Sequence, residues 1–185
     1  MRLFYQSLGV TRRSTGGDYA TRLSAILARA ASQGTTVELR GLSEGRAIAD
    51  QYRYLEYLDT AEILDNGLAA EREGYDAFLI GNIFAPGLHA LRELLNIPVL
   101  GLCESSVFVA CLMGTSFSIV NVNPKFERRV TENISSYGLS GRLVSIDRME
   151  VERPAVFDRA FEDTAVRDDV IGQFRAAARR SLAQG

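Results

Sequence analysis

Apolar residues fall in short clusters parted by polar or glycine-rich breaks, and the clusters alternate between two spacings. Compact runs at residues 2–8, 35–39, 76–82, 97–103, 116–121 and 142–146 read as strands. Between them lie stretches with helical spacing. Residues 19–33 carry Leu23, Ile26, Leu27 and Ala30 on one stripe. Helices are also expected over 60–73, from Pro86 to residue 95, and over 104–113, 124–137, 154–163 and 166–183. Asp18 is placed to cap the first helix and Pro86 to open the third. Gly34 suits the left-handed residue after a helix end, and Gly74, Gly114 and Gly138 close three others. Residues 41–50 form a polar connection, and the aromatic-rich stretch 52–57 fits no single element.

Strand and helix alternate along the whole chain, which points to βαβ units: an α/β fold with a mostly parallel sheet flanked by helices. The runs at 77–80, 97–103 and 116–121 read as strands buried on both faces, the first being apolar throughout. After the helix at 166–183 the alternation calls for a strand. Either that helix closes the fold, or the chain stops short of a further strand.

At 185 residues the chain suits one domain or two small lobes, and 46% apolar residues supply a sizeable core. The net charge is −2. Its densest basic spots, Arg12-Arg13, Arg128-Arg129 and Arg179-Arg180, read as solvated surface, so no nucleic-acid partner is expected. The longest apolar stretches are too short to span a bilayer, and the N-terminus lacks a secretory pattern, so the expected location is cytoplasmic with no membrane partner. Two cysteines, Cys103 and Cys111, make no disulfide framework. With them and the lone His89, no metal-ligand spacing arises. No nucleotide or PLP motif is present, and no cofactor is expected. Ser14-Thr15-Gly16-Gly17 matches no phosphate-loop pattern and reads as a plain loop.

Ligands of open α/β sheets bind beyond the carboxyl ends of the strands. Three strands end there in polar residues: Gly81-Asn82, Cys103-Glu104-Ser105-Ser106 and Asn121-Val122-Asn123. Glu104, Ser105 and Ser106 lie where a strand turns into a helix, a place that either receives an anion or caps the helix. Asn82, Asn121 and Asn123 also fit simple backbone bonding at strand ends. Cys103, Cys111 and His89 read as two core thiols and a surface imidazole.

One set of motifs narrows this further. The segment from Ile80 through Gly81-Asn82-Ile83-Phe84-Ala85-Pro86-Gly87-Leu88-His89-Ala90-Leu91-Arg92-Glu93 resembles the I-A-C-F-x-D-P-G-L-x-A-x-R-E segment of the aspartate/glutamate/hydantoin racemase superfamily. Ile97-Pro98-Val99-Leu100-Gly101 followed by Glu104-Ser105 is similar to the family's I-P-V-x-G and E-[AS], and Phe117-Ser118-Ile119-Val120-Asn121 to F-S-V-V-T. Order and spacing agree over residues 80–123.

The resemblance implies two similar Rossmann-like lobes, roughly 1–96 and 97–185, the second incomplete if a strand belongs after the last helix. It implies a site between the lobes, cofactor-independent proton transfer at the carbon beside a carboxylate, and a homo-oligomer. In the family, one cysteine from each lobe works on opposite faces of that carbon. Here the first falls on Asn82, whose neutral amide cannot act as a base. The second would lie on a strand beyond residue 185. Candidate catalytic residues are therefore Asn82 and Glu104. The expected substrate contacts are Ser7, Asn82, Glu104, Ser105, Ser106 and Asn121. The expectation is a racemase- or isomerase-like enzyme on a small amino-acid-like or hydantoin-like carboxylate, working without the two-thiol mechanism. The alternatives are a noncatalytic binder of small carboxylates and a fragment of a full-length racemase.

Overall fold

The computed structural model describes residues 1–10, 18–44, 51–150 and 155–184. The loop Ser14–Gly17, Arg12-Arg13 and most of the polar connection at 41–50 lie outside them. The chain divides into two compact units, Met1–Ser105 and Ser106–Gly185.

The first unit is a four-stranded parallel sheet in the order β2-β1-β3-β4, formed by β1 (Arg2–Val10), β2 (Thr36–Leu42), β3 (Ala77–Ile80) and β4 (Val99–Gly101). Helices α1 (Asp18–Ala30), α2 (Arg53–Arg72) and α3 (Leu88–Leu94) connect them. Central β1 aligns Phe4 with Phe78 and Gln6 with Ile80 on β3. The Phe4 and Phe78 rings stack at 4.9 Å, and Tyr75 meets Phe4 edge-on at 5.3 Å. Around them pack Leu42, Ile63, Ala70, Leu88, Leu91 and Val99, the one core a small α/β layer needs. The division falls after Ser105 because β4 pairs with β3 and so belongs to this sheet.

Helices α2, α3 and α4 (Leu102–Met113) start elsewhere than their sequence pattern implies. Residues 53–57 are the opening turns of α2, obscured because Tyr54 and Tyr57 face solvent (71% and 75% exposed). Pro86 lies in a turn ahead of α3. That helix begins at Leu88, behind Gly87 in the left-handed conformation (φ 79°). Helix α4 begins two residues before Glu104, placing that carboxylate inside the first turn.

The second unit pairs β5 (Phe117–Asn121) with β6 (Leu143–Arg148) in parallel, Ile119 opposite Ile146. Helices α5 (Pro124–Ser136), α6 (Ala155–Glu162) and α7 (Thr164–Gln184) accompany them. The Asn123 side chain accepts the Lys125 amide at 3.0 Å, and Pro124 opens α5. Helix α7 buries Ala177 and Ser181. The Ser181 hydroxyl donates to Asp147 at 2.6 Å, a carboxylate also held by Ser145 and Arg180. The run at 117–120 is not buried on both faces. All four residues are half-exposed, because among the described residues the sheet has two strands and β5 has one partner. Beside β5 an open cleft of about 350 Å³ is lined by Phe117, Ser118, Val120, Val144, Ser181 and Leu182.

Candidate active site

In the order β2-β1-β3-β4 the crossovers reverse direction between β1 and β3, and the crevice beyond their carboxyl ends is where such sheets hold ligands. Buried Gln6 fixes this edge. Its amide Nε2 donates to the Ser7 carbonyl at 2.8 Å, and its Oε1 accepts from Asn66 of α2 at 2.9 Å. The Gly81 amide donates to the Gln6 carbonyl at 2.8 Å, locking the ends of β1 and β3 together.

Ser7 and Asn82 therefore both lie just past the last residues paired between β1 and β3, Gln6 and Ile80. The buried Ser7 hydroxyl oxygen accepts the Gly9 amide at 3.0 Å, where the pairing of β1 with β2 shifts register between Gln6 and Val10. The Asn82 Oδ1 accepts the Phe84 amide at 2.7 Å, which orients its side chain. Among the described residues its Nδ2 makes no hydrogen bond, so the group offered outward is a pair of N–H donors.

Tyr5 belongs to the same edge, a residue the motif comparison missed. It pairs with Leu79, yet its ring lies against Gly81, two positions nearer the carboxyl end: a Cβ on Gly81 would stand 2.2 Å from that ring. Burial, with Tyr19 beside it, pushes the Tyr5 phenol above its ordinary value. The signal in sequence was a tyrosine two residues before Ser7 and a glycine just before Asn82, linked only through a strand register spanning some 76 residues.

Glu104 follows β4, the next strand along, but is turned toward α3. Its carboxylate takes a two-pronged pair from Arg92, at 2.5 and 3.2 Å, while Arg92 Nε donates to the Val99 carbonyl at 3.0 Å. The Arg92 hydrogen bond holds the Glu104 carboxyl below the usual range; burial opposes it less strongly, and the charges of Arg92 and His89 add smaller lowering effects. A carboxylate held this way stays ionised and is a poor proton donor at neutral pH. Ser105 lies half-buried in the same opening stretch of α4.

The other two candidates belong to the second unit. Ser106 is exposed on α4. Asn121, buried at the end of β5, is occupied locally: Nδ2 donates to the Asn123 carbonyl at 2.9 Å and Oδ1 accepts the Asn123 amide at 3.0 Å. Cys103 is buried, Cys111 half-buried and His89 exposed. Among the described residues no group of three or more His, Cys, Asp or Glu could hold a metal ion, and no helix is long and apolar enough to cross a membrane.

Comparison with known proteins gives this edge a family. The chain is 38% identical over 102 residues to a hydantoin racemase of Pseudomonas sp. (strain NS671), a match covering 55% of this chain and 41% of that protein. It is 31% identical over 132 residues to a hydantoin racemase of Paenarthrobacter aurescens, covering 69% and 56% respectively. The chain thus spans about half the length of the curated relatives it matches. Its fold is similar to that of allantoin racemase from Klebsiella pneumoniae, with a TM-score of 0.73 at 21% identity over 96% of this chain and 70% of that one. Allantoin racemase from Pseudomonas fluorescens matches with a TM-score of 0.74 at 24% identity, over 98% and 73%. Residues 8–185 match the family described as Asp/Glu/Hydantoin racemase, and the chain belongs to that family.

Proposed function

We propose that the chain is a cofactor-independent racemase or isomerase acting on the carbon beside a carboxylate, or beside the equivalent ring carbonyl, of a small amino-acid-like or hydantoin-like substrate. The observation that carries this reading is the family match over residues 8–185, together with Ser7 and Asn82 just past the last residues paired between β1 and β3, at the sheet's switch point. The relatives named for hydantoin and allantoin favour a cyclic ureide over a free amino acid.

Transfer of the proton from such a carbon to a base moves charge onto the adjoining carbonyl oxygen, and fixed N–H donors aimed at that oxygen lower the barrier. Asn82 fills that role through Nδ2, since a neutral amide takes no proton. Glu104 acts as a fixed charge that positions the start of α4, and Ser105 beside it is the further substrate contact on this unit. The two-thiol mechanism is not part of the reading. Self-association is: Phe108, Val109, Leu112 and Met113 expose one apolar face of α4.

The test is proton NMR in D₂O with both enantiomers of aspartate and glutamate, a 5-substituted hydantoin, allantoin and an arylmalonate. The hydantoin C5 proton signal is expected to disappear with enzyme present. Asn82→Ala should slow that loss roughly 100-fold, the effect of deleting one such donor. Folded protein that exchanges none of these substrates sinks the enzyme reading. The second reading, a noncatalytic binder, then takes its place, favoured by an amide at position 82 and by the Arg92–Glu104 pairing.

A further inference from the structure

We infer that the Tyr5 hydroxyl is the second hydrogen-bond donor of this site, meeting the same carbonyl oxygen of a cyclic ureide that Asn82 addresses. The inference deepens the proposed function and rests on it.

Tyr5 alternates with the core residues Phe4 and Gln6 and so lies on the opposite sheet face. Its ring does not stand upright over its partner Leu79. It leans along the strands and covers Gly81, where a side chain would collide with the ring and the hydroxyl oxygen alike, at 2.2 to 2.3 Å. The missing side chain at Gly81 is what admits the ring, and the hydroxyl is thereby carried to the residue that precedes Asn82. Ring packing explains a phenylalanine at this position but not the hydroxyl. Tyrosine hydroxyls drawn into a protein ordinarily find a partner. Here the residue is half-buried, and among the described residues the hydroxyl makes no hydrogen bond.

The surroundings suit a donor rather than a base. Tyr19 lies close enough to raise the Tyr5 pKa, and its ring sits beside Gly9, whose amide is held by Ser7. Burial, and then the nearby Tyr19 phenol, raise the Tyr5 pKa above its ordinary value, so its O–H stays protonated across the neutral range. A protonated phenol gives a hydrogen bond to an oxygen gaining negative charge and takes no proton from carbon. No bond to carbon is made or broken by Tyr5, and the hydroxyl keeps its proton through the cycle.

Tyr5→Phe keeps the ring on Gly81 and removes the donor alone. It is expected to melt like the parent protein and to lower kcat for hydantoin C5 exchange roughly 100-fold, with KM changed much less. Exchange by Tyr5→Phe at the parent rate overturns the inference and leaves the enzyme reading standing. If the parent protein exchanges no substrate, the enzyme reading is what fails, and Tyr5 is then judged by binding. With tyrosine labelled at the ring ζ carbon, the Tyr5 signal is identified by its absence in Tyr5→Phe and followed while the 5-substituted hydantoin is added. A saturable shift of that signal supports the contact, and an unmoved signal overturns it.

Discussion

Replacing Glu104 with Gln discards the charge but keeps the shape of a pair set between the opening of α4 and Arg92 of α3. Both side chains are partly exposed, so solvent screens the pair and its worth is about 1 kcal/mol at most. The sign follows from the depressed pKa of Glu104. Its contribution is complete above the usual carboxylate range and fades as pH falls through the lower folded-state value. Glu104→Gln is expected to be less stable than the parent by up to about 1 kcal/mol at pH 7, and the gap should close in strong acid; urea unfolding at the two pH values reads both. At this scale the sequence was legible where partners are near neighbours. The local bonds that Asn82 makes with Phe84 and Asn121 with Asn123 are those such residues form at strand ends. The pairing of Glu104 with Arg92 and the resting place of Tyr5 depend on residues brought close by folding, and no local pattern announces them.

Elements carry a different constraint, seen best in α2. Gly67 is buried there, and a methyl group in its place would stand 2.3 Å from Leu91 Cδ2 and 3.3 Å from Leu95 Cδ1. Leu91 is fully buried and has little room to yield. Gly67→Ala gains about 1 kcal/mol of helix propensity, while overpacking of this kind costs about 1 to 3. A net loss of about 1 kcal/mol is expected, as a lower urea midpoint with an unchanged slope. Strands and helices were legible from apolar spacing, because each buries one face or two. Their ends were less so. The first turns of α2 carry exposed tyrosines, α3 waits for Gly87 rather than Pro86, and α4 takes Leu102 and Cys103 from an apolar run that read as strand to residue 103.

At the scale of the whole molecule the alternation of elements made the parallel α/β class legible, and the sheet order explains why. In the first unit β1 is paired on both sides, so its run from residue 2 to 8 is used as its composition demands. In the second, β5 has the composition of an inner strand and the surroundings of an outer one. Parallel strands gain most of their stability from cover on both faces, and among the described residues this sheet has two strands where the first unit's has four. Cooperative opening should therefore begin in the second unit. Amide hydrogen exchange followed by mass spectrometry should show peptides over 117–121 and 143–148 taking up deuterium well before those over 2–8 and 77–80. Equal protection of the two sets would contradict this ordering. Taken further, the single pairing of β5 among the described residues makes the second unit the expected clock of its own exchange: its peptides should keep or lose their deuterium pattern with each parting of β5 and β6, while the sheet that holds Ser7, Tyr5 and Asn82 keeps its own slower time.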